Sequence, residues 1–157
     1  MAHTEIIDTY IKDMDWFFYG GNRWQAGMYQ LVENLTLEQA MWKLSEDRHC
    51  IWNIVKHILY WKLCAKAYAE RKPVPNYSRG NWAKLPKKPT DEDWKKDLGF
   101  LVANHEEFKI VIKKFGPDLF DSDNNIANFL RQIINHDSYH SGQIGFLRAI
   151  QGIKPIE

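Results

Sequence analysis

The chain has 157 residues, of which 45% are hydrophobic and 14% aromatic, so it can bury the core of one compact domain, which we expect to span residues 1–157. Its 21 basic and 20 acidic residues give a formal net charge of +1 without long blocks of either sign. This balance argues against nucleic acid as the main partner. The sequence contains neither an export signal nor an apolar run of roughly 18 to 20 residues, so we predict a soluble, cytoplasmic protein that does not bind a membrane.

The first predicted helix covers residues 4–35, because side chains that can face a core recur there in alternating steps of four and three. The positions in register are Tyr10, Met14, Phe17, Gly21, Trp24, Met28, Leu31 and Leu35. Gly20 and Gly21 lower the helix propensity in the middle of this segment, so we expect a kink or a close helix approach there, with two shorter helices as the alternative. The capping-box pattern Thr36-Leu-Glu-Gln39 then starts a short helical turn.

The second predicted helix covers residues 49–71 and ends before Pro73. Its inward stripe consists of Cys50, Ile54, His57, Trp61, Cys64 and Tyr68. Cys50 and Cys64 would lie about 21 Å apart along this helix, so they cannot form a disulfide, and a reducing compartment is expected. We interpret Cys64 as a small buried hydrophobic residue, whereas Cys50 lies near the helix start, where the pKa of a thiol can fall.

Residues 72–89 contain four prolines and are predicted to form an extended connection long enough to cross a helix bundle. The short basic cluster Lys84, Lys87 and Lys88 lies among these prolines, and we interpret it as part of a solvated loop rather than as a phosphate contact.

The third predicted helix starts at the capping sequence Thr90-Asp-Glu-Asp93 and ends at Gly116-Pro117. Its stripe consists of Trp94, Leu98, Leu101, His105, Phe108, Ile112 and Phe115. His105 therefore faces inward, either in the shell of a metal site or pocket or as a core histidine with a hydrogen-bond partner.

The last predicted helix starts near Asp123 or Asn124 and stops at Gly152. Its stripe consists of Phe129, Ile133, His136, His140, Gln143, Leu147 and Ile150. The sequence contains no strand signal, so we predict an all-α fold.

Three histidines occupy core positions of two predicted helices: His57 on the second and His136 and His140 on the last. A buried imidazole without a partner is costly, and isolated core histidines usually find a hydrogen bond instead. A divalent ion removes that cost, and two histidines four residues apart share one helix face, so both can reach the same ion. Three nitrogen ligands leave a coordination position open, which is typical of catalytic rather than structural sites.

Two segments resemble a known family. Residues 135–144, NHDSYHSGQI, resemble the last helix of the DinB-like metal-binding bundles, and residues 49–61, HCIWNIVKHILYW, resemble the second helix of that family. The resemblance covers nearly the whole chain. It implies a four-helix bundle with a long crossover between helices 2 and 3, and it makes His57, His136 and His140 the ligands of Zn²⁺ or Ni²⁺.

Some relatives are thiol-S-transferases that use a low-molecular-weight thiol, and others isomerise maleylpyruvate with such a thiol. The resemblance therefore implies a metal-dependent transferase acting on a small thiol and an electrophile, and a homodimer. A metal-dependent hydrolase, with His105 as the best candidate for its base, and a non-enzymatic, metal-stabilised stress or binding protein are the alternatives. Tyr139, Gln143 and Asn53 are candidate polar neighbours of the metal, although Tyr139 lies off the stripe and is expected to pack between helices.

Overall fold

The computed structural model describes residues 2–73, 81–114 and 125–156, and within these ranges the chain forms five helices and no strand. The helices are α1 (Ala2–Tyr19), α2 (Leu37–Met41), α3 (Ile51–Ala69), α4 (Asp91–Lys113) and α5 (Asn125–Ile150). The predicted all-α fold is confirmed.

The four long helices pack in a closed ring. Helix α3 packs against α4 and α5, α1 packs against the same two helices, and the short α2 rests on α3. Apolar side chains of α1, α3, α4 and α5 fill the space between them, in an arrangement typical of a helix bundle. This order makes α3 and α5 neighbours, as a site shared by His57, His136 and His140 requires.

The prediction of one helix over residues 4–35 is wrong, because α1 ends at Tyr19. Gly20 and Gly21 have φ angles of 97° and 102°, a left-handed conformation that ends a helix and favours glycine. The chain then folds back, and the amides of Met28 and Tyr29 donate hydrogen bonds of 3.0 and 2.8 Å to the carbonyls of Phe17 and Phe18. Met28 is nonetheless fully buried, so the sequence pattern identified core positions beyond the end of the helix.

The other helix starts agree with the capping signals. Thr36 and Thr90 each close a capping box, with Gln39 and Asp93 respectively. Helix α3 starts one residue after its N-cap, Cys50. The connection between α3 and α4 has no helix or strand in its described part, and Lys84, Lys87 and Lys88 are exposed there as expected. The predicted positions Phe115, Gly116-Pro117 and Asp123-Asn124 lie outside the described residues.

The predicted stripes are mostly buried, but they are narrower than the buried faces. Trp24, Tyr68 and Ile150 are exposed, contrary to the prediction. Trp24 lies beyond the end of α1, where the helical register no longer applies, and Tyr68 and Ile150 lie in the last turns of α3 and α5. Helix α5 instead buries a second row of side chains beside the predicted one. This row consists of Leu130, Asp137, Ser141, Ile144 and Arg148. No described helix combines the length and the apolar surface that a membrane crossing requires.

Candidate metal centre

The structure brings His57, His136 and His140 together. His57 projects from α3 and the other two histidines from adjacent turns of α5, so that one ring nitrogen of each lies within 4.8 Å of the others. The Nε2 atoms of His57 and His136 are 3.1 Å apart. His57 and His140 are each only 5% exposed. We name these residues the three-histidine group.

The outer nitrogen of each ring faces an acceptor. Nδ1 of His57 lies 2.9 Å from the carbonyl oxygen of Asn81, and Nδ1 of His140 lies 2.7 Å from Oε1 of Gln143. Nδ1 of His136 lies 3.4 Å from Oδ1 of Asp137. Carbonyl and carboxylate oxygens only accept, so the proton of each neutral imidazole sits on Nδ1 and the lone pair sits on Nε2.

The inner nitrogens therefore present converging lone pairs to one another. Two such nitrogens 3.1 Å apart, as in His57 and His136, have no proton to share, and a cation between the rings would remove their repulsion. Outer-nitrogen hydrogen bonds of this kind also fix the orientation of metal-binding histidines. The three-histidine group can thus hold a metal ion.

A buried ion pair lies next to the three-histidine group, because Asp137 contacts both His136 and Lys62. Nζ of Lys62 lies 2.5 Å from Oδ2 of Asp137, and both side chains are almost fully enclosed. Burial alone would raise the pKa of Asp137, but Lys62 and His136 outweigh it and hold this pKa below its ordinary value. Asp137 is therefore an anion that can accept a hydrogen bond from Nδ1 of His136.

Sequence reasoning missed Lys62 and Asp137, although a signal was available. Lys62 is the single charged residue within a row of otherwise apolar or small side chains at helical spacing, and Asp137 lies in a similar row of α5 that also contains Arg148 near its end. These rows are Ile58, Lys62, Ala65 and Ala69 on α3, and Leu130, Asp137, Ser141 and Ile144 on α5. Opposite charges in two rows of this kind indicate a buried pair between the helices.

His105 is a core histidine of a neighbouring polar cluster. Its Nε2 lies 2.9 Å from Oδ1 of Asp15, its Nδ1 lies 3.5 Å from Nζ of Lys62, and its ring stacks on Phe18 at a centroid distance of 3.9 Å. With Asp15 and Glu106 it forms a second group of possible ligands. The ammonium of Lys109 already bonds to both of those carboxylates, so this second group has its own cation.

An aromatic stack covers His57. The Trp82 ring lies parallel to the His57 ring at a centroid distance of 4.0 Å, and His49 stacks on Trp82 at 3.9 Å. Trp82 and Asn81 come from the connection before α4, so this segment both orients His57 and shields it. The connection has no helical periodicity, and sequence reasoning gave these two residues no role.

The three candidate polar neighbours have different positions. Gln143 is a neighbour of His140, as expected, and its amide nitrogen donates a 3.1 Å hydrogen bond to the Tyr139 hydroxyl. Tyr139 is 65% exposed, so the expectation that it packs between helices is wrong; it projects outward because its position on α5 faces away from the bundle. Asn53 caps the start of α3, where Oδ1 accepts from the amide and the thiol of Cys50.

Both cysteines are free and buried. Burial raises the pKa of the Cys64 thiol, as expected for a small core residue. Burial also raises the pKa of the Cys50 thiol and outweighs the hydrogen bonds at the helix start, so the suggestion that this pKa falls is wrong.

The metal-free protein should lose stability in mild acid. Burial lowers the pKa of His140 to about 4 and that of His105 to about 2, both from an ordinary value of 6.5. Between pH 6.5 and 4 the unfolded chain therefore binds more protons than the folded chain, and the free energy of unfolding should fall as the pH falls. Urea unfolding of chelator-treated protein across this range measures the slope, which His140→Gln should reduce. If the free energy of unfolding of His140→Gln changed with pH as steeply as that of wild type, the lowered pKa of His140 would not be a cause of the slope.

Comparison with known proteins gives one match. The family model of the DinB superfamily matches residues 23–144, which include α2, α3, α4 and all three histidines. No curated protein and no solved structure matches the chain. Since the match spans well over half of the sequence, the chain belongs to the DinB superfamily.

Proposed function

We propose that this protein is a metal-dependent transferase in which His57, His136 and His140 hold Zn²⁺ or Ni²⁺ and a low-molecular-weight thiol is the cosubstrate. The composition of the three-histidine group carries the proposal. Among the described residues, three imidazoles form this group and no cysteine or carboxylate joins it. Such a ligand set leaves room for an exogenous ligand, as catalytic sites do.

The state of the two cysteines favours a thiol from outside the protein. Cys50 and Cys64 are buried, and burial raises the pKa of both thiols, so neither is a ready nucleophile. A divalent ion in the three-histidine group would supply the positive charge that stabilises a thiolate at neutral pH.

The protein itself contributes position and charge. Asn81, Gln143 and Asp137 hold the proton of each imidazole on Nδ1, which keeps the inner nitrogens available as ligands. In the proposed reaction the cosubstrate thiol loses its proton to solvent. Its sulfur then forms a bond to the electrophilic carbon. In a substitution the leaving group departs with the bonding electron pair, and in an addition to a carbon–carbon double bond the π electron pair moves to the neighbouring carbon, which takes a proton from solvent.

Activity should require both the ion and a small thiol. We expect His57→Ala to abolish thiol conjugation, because two ligands remain where three are needed, whereas Cys64→Ala should keep most of its turnover. Cys64→Ala should lower the free energy of unfolding by about 1 to 2 kcal/mol, as expected when a small buried group is removed. A conjugation assay against a panel of small thiols and electrophiles, with and without chelator, measures these effects.

Each contrary result points to a specific alternative. Turnover without added thiol that disappears in Cys64→Ala would replace the cosubstrate with a protein nucleophile. Metal-dependent cleavage of esters or amides without thiol would favour the hydrolase. A protein that binds metal but shows neither activity would be the non-enzymatic binding protein. The homodimer stays a prediction, which sedimentation at micromolar concentration would check.

A further inference from the structure

A cavity of about 430 Å³ opens beside His136, and its lining residues come from α3 and α5. This volume lies in the range of roughly 300 to 1,000 Å³ that is typical of small-molecule sites. The walls are mainly apolar: Trp61 comes from α3, and Phe129, Ile133 and Tyr139 come from α5.

Two residues that line the cavity, Trp61 and Tyr139, also contact the three-histidine group. The Trp61 ring lies edge to face with His136 and with His57, at centroid distances of 6.1 and 6.4 Å. The Tyr139 ring lies 5.0 Å from the His140 ring. A molecule in this cavity would therefore rest against rings that contact all three histidines.

The side chains that line the cavity indicate which kind of ligand it can bind. Besides His136, the polar groups among the described lining residues are neutral: the amides of Gln132 and Asn135, the hydroxyl of Tyr139 and the indole N–H of Trp61. No charged side chain of these walls would therefore pair with an ionised group on the substrate. Trp61, Phe129 and Tyr139 instead offer ring faces and edges, which pack favourably on another aromatic ring. An uncharged aromatic group fits these walls best.

We propose that this cavity binds an uncharged aromatic part of the electrophilic substrate and thereby holds its reactive carbon next to the three-histidine group. The inference rests on the proposed function, because it assigns the cavity to the electrophile of that reaction. It adds a substrate class and names Trp61 and Phe129 as residues that determine specificity.

Unreactive ligands test binding separately from turnover. N-benzylsuccinimide and N-methylsuccinimide share one ring and differ only in the apolar group, and their maleimide counterparts are electrophiles. Calorimetric titration of the zinc-loaded protein should show that the benzyl compound binds about tenfold tighter than the methyl compound. Trp61→Ala should remove most of this preference, and Phe129→Ala should reduce it by about threefold or more.

Phe146→Ala is the matched control, since it also removes one aromatic ring from α5 but lines a separate cavity of about 290 Å³. It should leave the benzyl preference within about twofold of wild type. Because Trp61 contacts two of the histidines, the zinc content of each variant is measured first, and Phe129→Ala provides the test if Trp61→Ala loses the ion.

Equal affinities for the benzyl and methyl compounds would overturn the inference, and so would a loss in Phe146→Ala as large as that in Phe129→Ala. Selective binding without any thiol-dependent turnover of the maleimides would support the cavity and contradict the proposed function. Thiol-dependent turnover that does not distinguish benzyl from methyl would support the proposed function and overturn the cavity assignment.

Discussion

Lys62→Met is expected to lower the free energy of unfolding by about 3 to 5 kcal/mol, because it leaves the buried carboxylate of Asp137 without its cation. Nζ of Lys62 lies 2.5 Å from Asp137 and 5.2 Å from the centre of the Phe18 ring, and the lysine side chain is 2% exposed. Methionine fills a similar volume, so the loss reports the missing charge rather than a cavity. Urea unfolding at neutral pH measures it.

Lys66→Met, one turn further along α3, is the matched control. Lys66 also pairs with a carboxylate on another helix, but its partner Glu107 is 60% exposed. Water can solvate Glu107 after the change, so the expected loss is below about 1 kcal/mol. Equal losses in the two variants would mean that the Lys62 pair does not stabilise the bundle more than a surface pair does.

Zinc binding is expected to raise the free energy of unfolding, which is the second of the two large effects. At a free concentration 1,000 times the dissociation constant, the ion should add about 4 kcal/mol of stability, or roughly 10 °C in melting temperature for a chain of this size. The reason is that the folded state holds the three imidazoles together and the unfolded chain does not. Differential scanning calorimetry with zinc and with excess chelator measures the shift.

Two histidine variants show where this stabilisation arises. His140→Ala should remove most of the zinc-dependent shift, because the side chain belongs to the three-histidine group. His49→Ala should keep the shift, because His49 stacks on Trp82 but lies outside that group. A shift that survives in His140→Ala would place the ion elsewhere.

The helix pattern predicted much of the fold because burial and capping are local properties of a sequence. The four-three spacing identified the core faces of α3, α4 and α5, and the capping boxes at Thr36 and Thr90 marked two helix starts. The end of α1 could not be predicted in the same way. Gly20 and Gly21 allow either a kink or a reversal, and the reversal depends on contacts with residues 27–30 that lie beyond the helix.

The candidate site, like the fold, could be predicted from the sequence only in part. The positions of His57, His136 and His140 followed from register on two helices, and the structure brings them together. The ion pair of Lys62 and Asp137 depends on which helix faces meet, which spacing within one helix does not specify. Metal binding by the three-histidine group itself stays a prediction.

Elemental analysis of the purified protein tests that prediction most directly. Wild-type protein dialysed against zinc or nickel should retain about one ion per chain, and His49→Ala should retain the same amount. His136→Ala should retain almost none, because it removes the histidine whose Nε2 faces that of His57 at 3.1 Å. Equal metal contents in wild type and His136→Ala would contradict the assignment of the three-histidine group as the metal site.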